Sequence, residues 1–396
     1  MDIGYYLHPA GEPSQGAVLD TGLKCLHSCL FCYYRDYDSQ KDYQALRKGC
    51  FRSVEDSKRI LELFVRNGYR HFDITGGEPS LHPDIVGIVR HGCTNLSLAG
   101  RLLTLGQYLL QKTFDGCSLL DTLLEAGLVD VLFSLHSADN DSFKAFTNGS
   151  LKKLIAAMDN LDHKGFQYGT NAVVFEGNRD VLPDIATFVC DHGVYIHNFI
   201  MFNAYHGWSE QKKNIRMQPR YDAVRPFIEK AVQRMEAAGI AVNIRYVPYC
   251  VVKGFEKHIV GLAGVFYDPF EWRNRACNYE KPPEFCAEPI SINHTFLLRR
   301  EEKTLESGWR IIATRGGNLK VFPEVCGSCA AIEFCDGLSP SYLATHGDGE
   351  LSPYDSFAIS GTLPIARLEY AAPFHVKTSA MADMREIISR SKSWNL

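Results

Sequence analysis

Lys24-Cys25-Leu26-His27-Ser28-Cys29-Leu30-Phe31-Cys32-Tyr33-Tyr34 is the stretch around which the rest of the chain is read. Cys25, Cys29 and Cys32 are separated by three and two residues, close to the start of the sequence. Three thiolates on so short a loop can hold three irons of a 4Fe–4S cube and leave the fourth iron without a protein ligand. An iron left open in this way can chelate the amino and carboxylate groups of a small molecule and pass one electron to it. The rival readings are a zinc knuckle and three unrelated buried thiols. Zinc prefers four ligands, commonly in two closely spaced cysteine pairs, and this loop offers three.

Downstream, His71-Phe72-Asp73-Ile74-Thr75 has the pattern of a short buried strand and runs into Gly76-Gly77-Glu78-Pro79. Glycines let a backbone approach a ligand closely, and a carboxylate beside an ammonium makes a charge-assisted hydrogen bond. Taken together, C-x-x-x-C-x-aromatic-C, with Phe31 at the aromatic position, and the G-G-E-P turn resemble the radical S-adenosylmethionine (SAM) enzymes. The resemblance implies a SAM-binding 4Fe–4S cluster on Cys25, Cys29 and Cys32. It implies cofactor contacts from Phe31, Gly76, Gly77 and Glu78, the last three holding the methionine amino group. Ser134 and Asn171 match by position the polar residues that contact the SAM ribose and carboxylate. The family's T-N-G at the third strand is replaced here by Thr104-Leu105-Gly106, which leaves any contact there unassigned.

From about Ala17 to Val247 short apolar runs alternate with helical patterns, the signature of a parallel α/β sheet. The strands expected are Ala17–Leu19, His71–Thr75, Arg101–Gly106, Val129–Leu135, Gln167–Phe175 and Tyr195–Phe202, with Ile240–Val247 a further strand leaving the barrel. Ser53 caps a helix with Ile60, Leu61, Phe64 and Val65 on one face. Later helices are expected near Asp84–His91, Ser118–Ala126 and Ser150–Lys164, then one ending at about His192, and one opened by Pro219 and ending before Gly239. Six such units resemble the partial (β/α)6 TIM-type barrel of radical SAM enzymes. The chemistry of such barrels sits at the C-terminal strand ends, where the cysteine loop, the G-G-E-P turn, Ser134 and Asn171 fall. His136 ends the fourth strand and reads as structural. The basic loop Ser209–Arg220 reads as a solvated face.

Beyond Tyr249 the alternation stops, and Cys326-Gly327-Ser328-Cys329 is followed by Cys335-Asp336-Gly337. This C-x-x-C-x5-C-x-G run is similar to the auxiliary-cluster signature of SPASM and twitch extensions. Ser339 stands where the full SPASM pattern has another cysteine, and no cysteine follows Cys335. The expectation is therefore one auxiliary 4Fe–4S cluster on Cys326, Cys329 and Cys335, with Cys277 as fourth ligand and Cys286 as second choice. A zinc site on the same thiolates is the alternative. Three regions follow: a core barrel over 1–247, an auxiliary-cluster module over 248–345, and a tail over 346–396 packing on the core. The tail holds an S-P-Y-D turn at Ser352 and a candidate helix over Met381–Arg390. Cys50, Cys93, Cys117 and Cys190 read as buried thiols without a role.

The chain has 396 residues, 42 basic against 46 acidic, and a net charge of −4. Such a balance creates no field that gathers nucleic acid or an anionic membrane, and no run is long and apolar enough for a membrane span. The segment Met1–Gly16 lacks the apolar centre of a signal peptide. The chain's 13 cysteines then read as reduced thiols and metal ligands in a cytoplasmic protein. The resemblance implies reductive cleavage of SAM to a 5′-deoxyadenosyl radical that abstracts a hydrogen atom from substrate. It also implies an external electron donor such as flavodoxin or ferredoxin. The auxiliary cluster would accept the substrate electron or anchor the substrate. A small polar natural-product or sugar-like substrate is favoured over a ribosomally made peptide, since the cysteine loop starts too early to leave room for a leader-recognition domain. The rival of another class is an iron–sulfur electron carrier or zinc-binding scaffold, and G-G-E-P speaks against it.

Overall fold

The structure is a computed structural model. It describes residues 16–32, 51–66, 71–204, 214–260, 272–277, 301–304, 310–313, 319–332, 335 and 337–356, with 16, 260, 272–277, 301–304, 310–313 and 319–320 by backbone alone. The first eight strands are β1 (Gly16–Asp20), β2 (His71–Thr75), β3 (Ala99–Thr104), β4 (Asp130–Ser134), β5 (Gly169–Val174), β6 (Ile196–Met201), β7 (Ala241–Arg245) and the short β8 (Ile259–Val260). Together with β9 (Trp272–Cys277) they form one sheet in the order β8-β7-β6-β5-β4-β3-β2-β1-β9. Every pairing in it is parallel. This is the α/β partial barrel that the sequence predicts, widened at both edges. β7 does not leave the barrel but pairs with β6 from Ala241 to Arg245. β9, which the sequence does not announce, lies beside β1.

The connecting helices are α1 (Val54–Arg66), α2 (Ile85–Arg90), α3 (Leu119–Glu125), α4 (Asn140–Thr147), α5 (Leu151–His163), α6 (Leu182–Asp191) and α7 (Tyr221–Ala237). The caps follow from local chemistry. Ser53 Oγ accepts from the Asp56 N–H at 3.0 Å, and Ser118 Oγ accepts from the Asp121 N–H at 3.1 Å, each satisfying a first-turn donor. Ile60, Leu61 and Phe64 of α1 are buried, whereas Val65, expected with them, is 41 % exposed. One residue past Phe64 turns about 100° round the helix, off the narrow buried stripe. α7 begins at Tyr221 with Arg220 as its extended N-cap, so Pro219 stands outside it. β3 starts two residues before its expected position, at Ala99.

Side chains alternate across each strand. Leu19, Ile74, Leu102, Phe133, Ala172, Phe199 and Ile244 join the helix side chains in one buried core. The intervening positions, Asp20, Asp73, Arg101, Asp130, Asn171, Asn198, Asn243 and Arg245, are also buried but polar. They line the other face, the interior of the partial barrel. A sheet face so rich in buried polar groups is not built for packing alone.

C-terminal to the barrel, β10 (Glu301–Thr304), β11 (Arg310–Ala313) and β12 (Leu319–Phe322) make an antiparallel sheet, and α8 spans Pro340–His346. The Tyr342 ring stacks on Tyr221 with centroids 4.1 Å apart. Its hydroxyl accepts from the Tyr221 N–H and donates to Glu350, each at 2.9 Å, which fastens α8 to the start of α7. Residues 351–356 run on across this region. The candidate helix Met381–Arg390 lies outside the described residues. No helix among the described residues is long and apolar enough to cross a membrane.

Candidate functional site

The cysteine loop follows β1 and is held by backbone on both flanks. On one side the Gly77 N–H donates to Gly22 O at 2.7 Å and the Glu78 N–H to Lys24 O at 2.8 Å. A Cβ on Gly77 would stand 2.2 Å from Lys24 O, and one on Gly76, whose φ is +139°, would stand 2.6 Å from Gly22 O. The glycines of G-G-E-P are thus required by the approach of the loop's own backbone. On the other side the Ser28 and Leu30 N–H groups donate to the carbonyls of Thr147 and Phe146, both at 3.0 Å. Those carbonyls end α4, a helix the sequence reading passed over although Asp139 caps it, accepting from the Ser142 N–H at 2.8 Å.

Phe31 is buried in an apolar cluster with Phe175, Phe202 and Ala204. Its ring lies 4.4 Å from that of His136 and 5.1 Å from that of Phe175. The aromatic position of the motif therefore plugs the loop onto the strand ends. His136 is structural, as expected: its Nδ1 accepts from the Val173 N–H at 3.1 Å, and burial lowers its pKa to about 3. Cys25, Cys29 and Cys32 are left half-buried, and the His27 N–H donates to Cys25 Sγ at 3.4 Å. Soft thiolates backed by a backbone donor fit an iron–sulfur site.

Glu78 is 2 % exposed. Its Oε1 accepts from Ser80 Oγ at 2.5 Å, the Ser80 N–H at 3.2 Å and Thr104 Oγ1 at 2.7 Å. Oε2 accepts from the Leu105 N–H at 3.1 Å and stands 4.0 Å from His27 Nε2 in the cysteine loop. The carboxylate thus joins the turn after β2 to the end of β3. Thr104 and Leu105, where the family motif is altered, supply two of its donors. Oε1 already takes three donors, whereas Oε2 has one among the described residues, so Oε2 is the oxygen with room for an ammonium group. Tyr108 lies over this corner, its pKa raised by burial and then by the charges of Glu78 and Cys25.

Ser134 and Asn171 are register partners. Asn171 pairs with Asn198, and Asn198 with Asn243. These four make one polar row across β4 to β7 on the interior face. Asn198 Oδ1 accepts from Asn243 Nδ2 at 2.6 Å and from Arg245 Nη2 at 3.4 Å. Toward the N-terminal end of the barrel, Arg101 and Asp73 form a buried two-bond pair at 2.8 and 3.1 Å. Asn198, Asn243 and Arg245 were missed from sequence. Their signal was polar residues alternating within strongly apolar strands.

Cys326, Cys329 and Cys335 line a common cavity, and the fourth cysteine on its described wall is Cys250. Burial pushes the Cys326 thiol up to about 12, with the charges of Cys250 and Cys329 adding to it. The expected fourth ligand, Cys277, is placed by backbone on β9 opposite Leu19, and its side chain and all of Cys286 lie outside the described residues. Ser339 caps α8, accepting from the Tyr342 N–H at 3.2 Å, and is fully buried. Among the described residues no three His, Cys, Asp or Glu side chains converge closely enough to hold a single metal ion. Of the other thiols, Cys93 is pushed up to about 12 by burial, as suits an inert core group, and Cys117 is exposed.

A parallel partial barrel with a three-cysteine loop at the C-terminal end of β1, locked to a buried glutamate after β2, defines a class of cluster-binding barrel proteins. Residues 20–189 match the model of the radical SAM superfamily, and this part of the chain is a radical SAM domain. GTP 3′,8-cyclase 1 of Pseudomonas aeruginosa strain PAO1 is 32 % identical over 179 residues, 44 % of this chain and 50 % of that protein. GTP 3′,8-cyclase of Listeria monocytogenes strain EGD-e is 34 % identical over 148 residues, 36 % of this chain and 42 % of that one. The chain spans about half the length of the curated relatives it matches. The fold is also similar, with a TM-score of 0.51 and 13 % identity, to native anSMEcpe bound to AdoMet and the Cp18Cys peptide, covering 96 % of this chain and 99 % of that one.

Proposed function

We propose that this chain is a radical SAM enzyme acting on a small polar substrate. Cys25, Cys29 and Cys32 would hold the SAM-binding cluster, and Glu78 Oε2 would receive the methionine ammonium. When bound and reduced by an external donor such as flavodoxin or ferredoxin, the cluster and SAM supply a 5′-deoxyadenosyl radical. The chain's own part is to position and exclude water. The observation that carries the reading is the bonding of Glu78, which ties the cysteine loop's supporting turn to β3 while leaving one oxygen facing the loop.

Within the interior row, Ser134 and Asn171 would contact SAM, and the substrate class rests on Asn198 and Asn243 with Arg245 beside them. Neutral amides and one guanidinium suit a hydroxylated or nucleotide-like molecule carrying an anionic group. The named relatives act, by their names, on GTP, which agrees with a substrate of that chemistry. Cys326, Cys329 and Cys335 would hold one auxiliary 4Fe–4S cluster, and a cytoplasmic setting would keep all these thiols reduced. The test is anaerobic reconstitution with iron and sulfide, then a strong reductant and SAM. Release of 5′-deoxyadenosine is expected, and its absence overturns the reading.

A further inference from the structure

We propose that Cys250 is the fourth ligand of the auxiliary cluster, beside Cys326, Cys329 and Cys335. The inference rests on the auxiliary-cluster reading above. It assigns a ligand that the cysteine spacing alone does not reveal. Cys250 sits on the short turn Tyr249–Val252 that follows β7, far in sequence from the other three, and shares their cavity wall.

Tyr354 explains how the two parts are brought together. Its hydroxyl donates to Tyr249 O at 3.2 Å, on the turn that carries Cys250. Its N–H donates to Cys329 Sγ at 3.4 Å, and its carbonyl accepts from the Ala330 N–H at 2.8 Å. Lys253, on the residue after the same turn, reaches Ser352 Oγ at 2.8 Å and lies 4.7 Å over the Tyr354 ring. The segment 351–356 therefore straps the Cys250 turn to the Cys326–Cys335 loop. On the far side the Gly337 N–H donates to Cys335 Sγ at 3.4 Å. Backbone donors on cysteine sulfurs are what an iron–sulfur site uses to hold negative charge, and Cys329 and Cys335 each have one.

Four thiolates complete the ligand number of a cube, each thiol giving its proton to solvent as the metal enters. Cys277 stands on β9, which the strand order puts at the opposite end of the sheet from β7 and β8. Ser339 is already committed to capping α8 and to accepting from Gln218 Nε2 at 3.3 Å. A cube closed by Cys250 has no open iron. It can exchange an electron but cannot chelate a substrate group, which separates two roles that three ligands leave undecided. Its fourth ligand also follows the strand that bears Asn243 and Arg245.

The test starts from a chain with Cys25, Cys29 and Cys32 all changed to Ala, so that iron reports the second site alone. After anaerobic reconstitution that chain is expected to hold about four irons with the Mössbauer signature of a cube. Adding Cys250→Ala should lower the iron to about three or fewer and abolish the intact-cube spectrum, while Cys277→Ala and Cys286→Ala should not. A full cube in the Cys250→Ala chain, or its loss in the Cys277→Ala chain alone, overturns the assignment. Zinc without iron in the starting chain overturns the auxiliary-cluster reading itself, before position 250 is touched. Alkylation of the intact holoprotein, read by mass spectrometry, covers the case in which the variants misfold. Cys250 should be protected until the iron is chelated, with exposed Cys117 labelled throughout. Equal labelling of Cys250 with and without iron counts against it.

Discussion

In the barrel, Cys25, Cys29 and Cys32 fall within eight residues, and their loop is held by backbone hydrogen bonds to Gly76–Glu78 on one side and to the end of α4 on the other. In the C-terminal region, three thiols come from one loop and a fourth from the turn after β7, brought together round a cavity by the Tyr354 strap. The first site is local and rigidly framed, with the ligands themselves written as a motif. The second depends on tertiary packing between the barrel edge and the following module. A site of the first kind suits a cofactor that must be presented at one fixed angle to the barrel interior. A site of the second kind is suited to holding a cluster at a junction.

The largest expected effect separates the two outright. Cys29→Ala should reduce 5′-deoxyadenosine release to the background of uncatalysed reaction, while the pair Cys326→Ala and Cys329→Ala should retain a measurable part of it. Chromatographic assay of nucleoside under reducing, oxygen-free conditions decides this. Equal loss in both variants would mean that the two sites are not independent.

Next comes Glu78, which frames the first site and is proposed to receive SAM. Glu78→Gln keeps the shape but loses the charge. A hydrogen bond to a charged group contributes about 1.5–3 kcal/mol, so SAM binding should weaken by about ten- to a hundred-fold. Iron content should stay at the wild-type level. Calorimetric titration with SAM and elemental analysis of the same sample check both halves, and a fall in iron matching that of Cys29→Ala would place Glu78 on the metal.

The glycines sharpen the contrast in rigidity. Gly77→Ala drives a methyl into Lys24 O and Leu23 O, at 2.2 and 2.5 Å from the ideal Cβ. Gly327, between Cys326 and Cys329, offers a Cβ one near neighbour among the described residues, Glu324 O at 3.2 Å. Overpacking typically costs about 1–3 kcal/mol, and backbone cannot move aside as a side chain can. Thermal unfolding should therefore show a clear loss for Gly77→Ala and little for Gly327→Ala. Equal shifts would show that the two loops are framed alike.

How far these features were legible in the sequence follows the same division. The strands and most helices declare themselves through alternation, caps such as Ser53 and Ser118, and glycines at helix ends. The three barrel cysteines and G-G-E-P declare a local site. Beyond β9 and the interior residues Asn198, Asn243 and Arg245, three further features were not legible. α4 is only two turns long, and its cap Asp139 follows the strand too closely to stand out. Cys250 bears no spacing relation to Cys326, because a turn and a strap, not a motif, bring it near. Thr104 and Leu105 looked like an altered contact, whereas they donate to Glu78, a pairing between strands that linear order conceals.

The smallest effect concerns Ser339, where the full SPASM pattern would have a cysteine. Its hydroxyl accepts from the Tyr342 N–H and from Gln218 Nε2, so it holds α8 to the segment before α7. Replacing a capping serine by alanine typically costs about 0.5–2 kcal/mol, and Ser339→Ala should lower the melting temperature by about 2–4 °C for each kcal/mol lost, the scale of a domain of roughly 150–250 residues. Iron should be unaffected, because the residue supplies a helix cap and no metal ligand. Ser339→Cys carries the point further. A thiol is a poor cap, so this variant should lose similar stability, yet it should gain no iron beyond the roughly eight of two cubes. A third cube needs more than one restored ligand, and the side chain at 339 meets Gln218 in the segment before α7. Additional iron in Ser339→Cys would show that the second site is a reduced form of a two-cluster module, and the contrast between one local and one assembled cluster would then have to be redrawn.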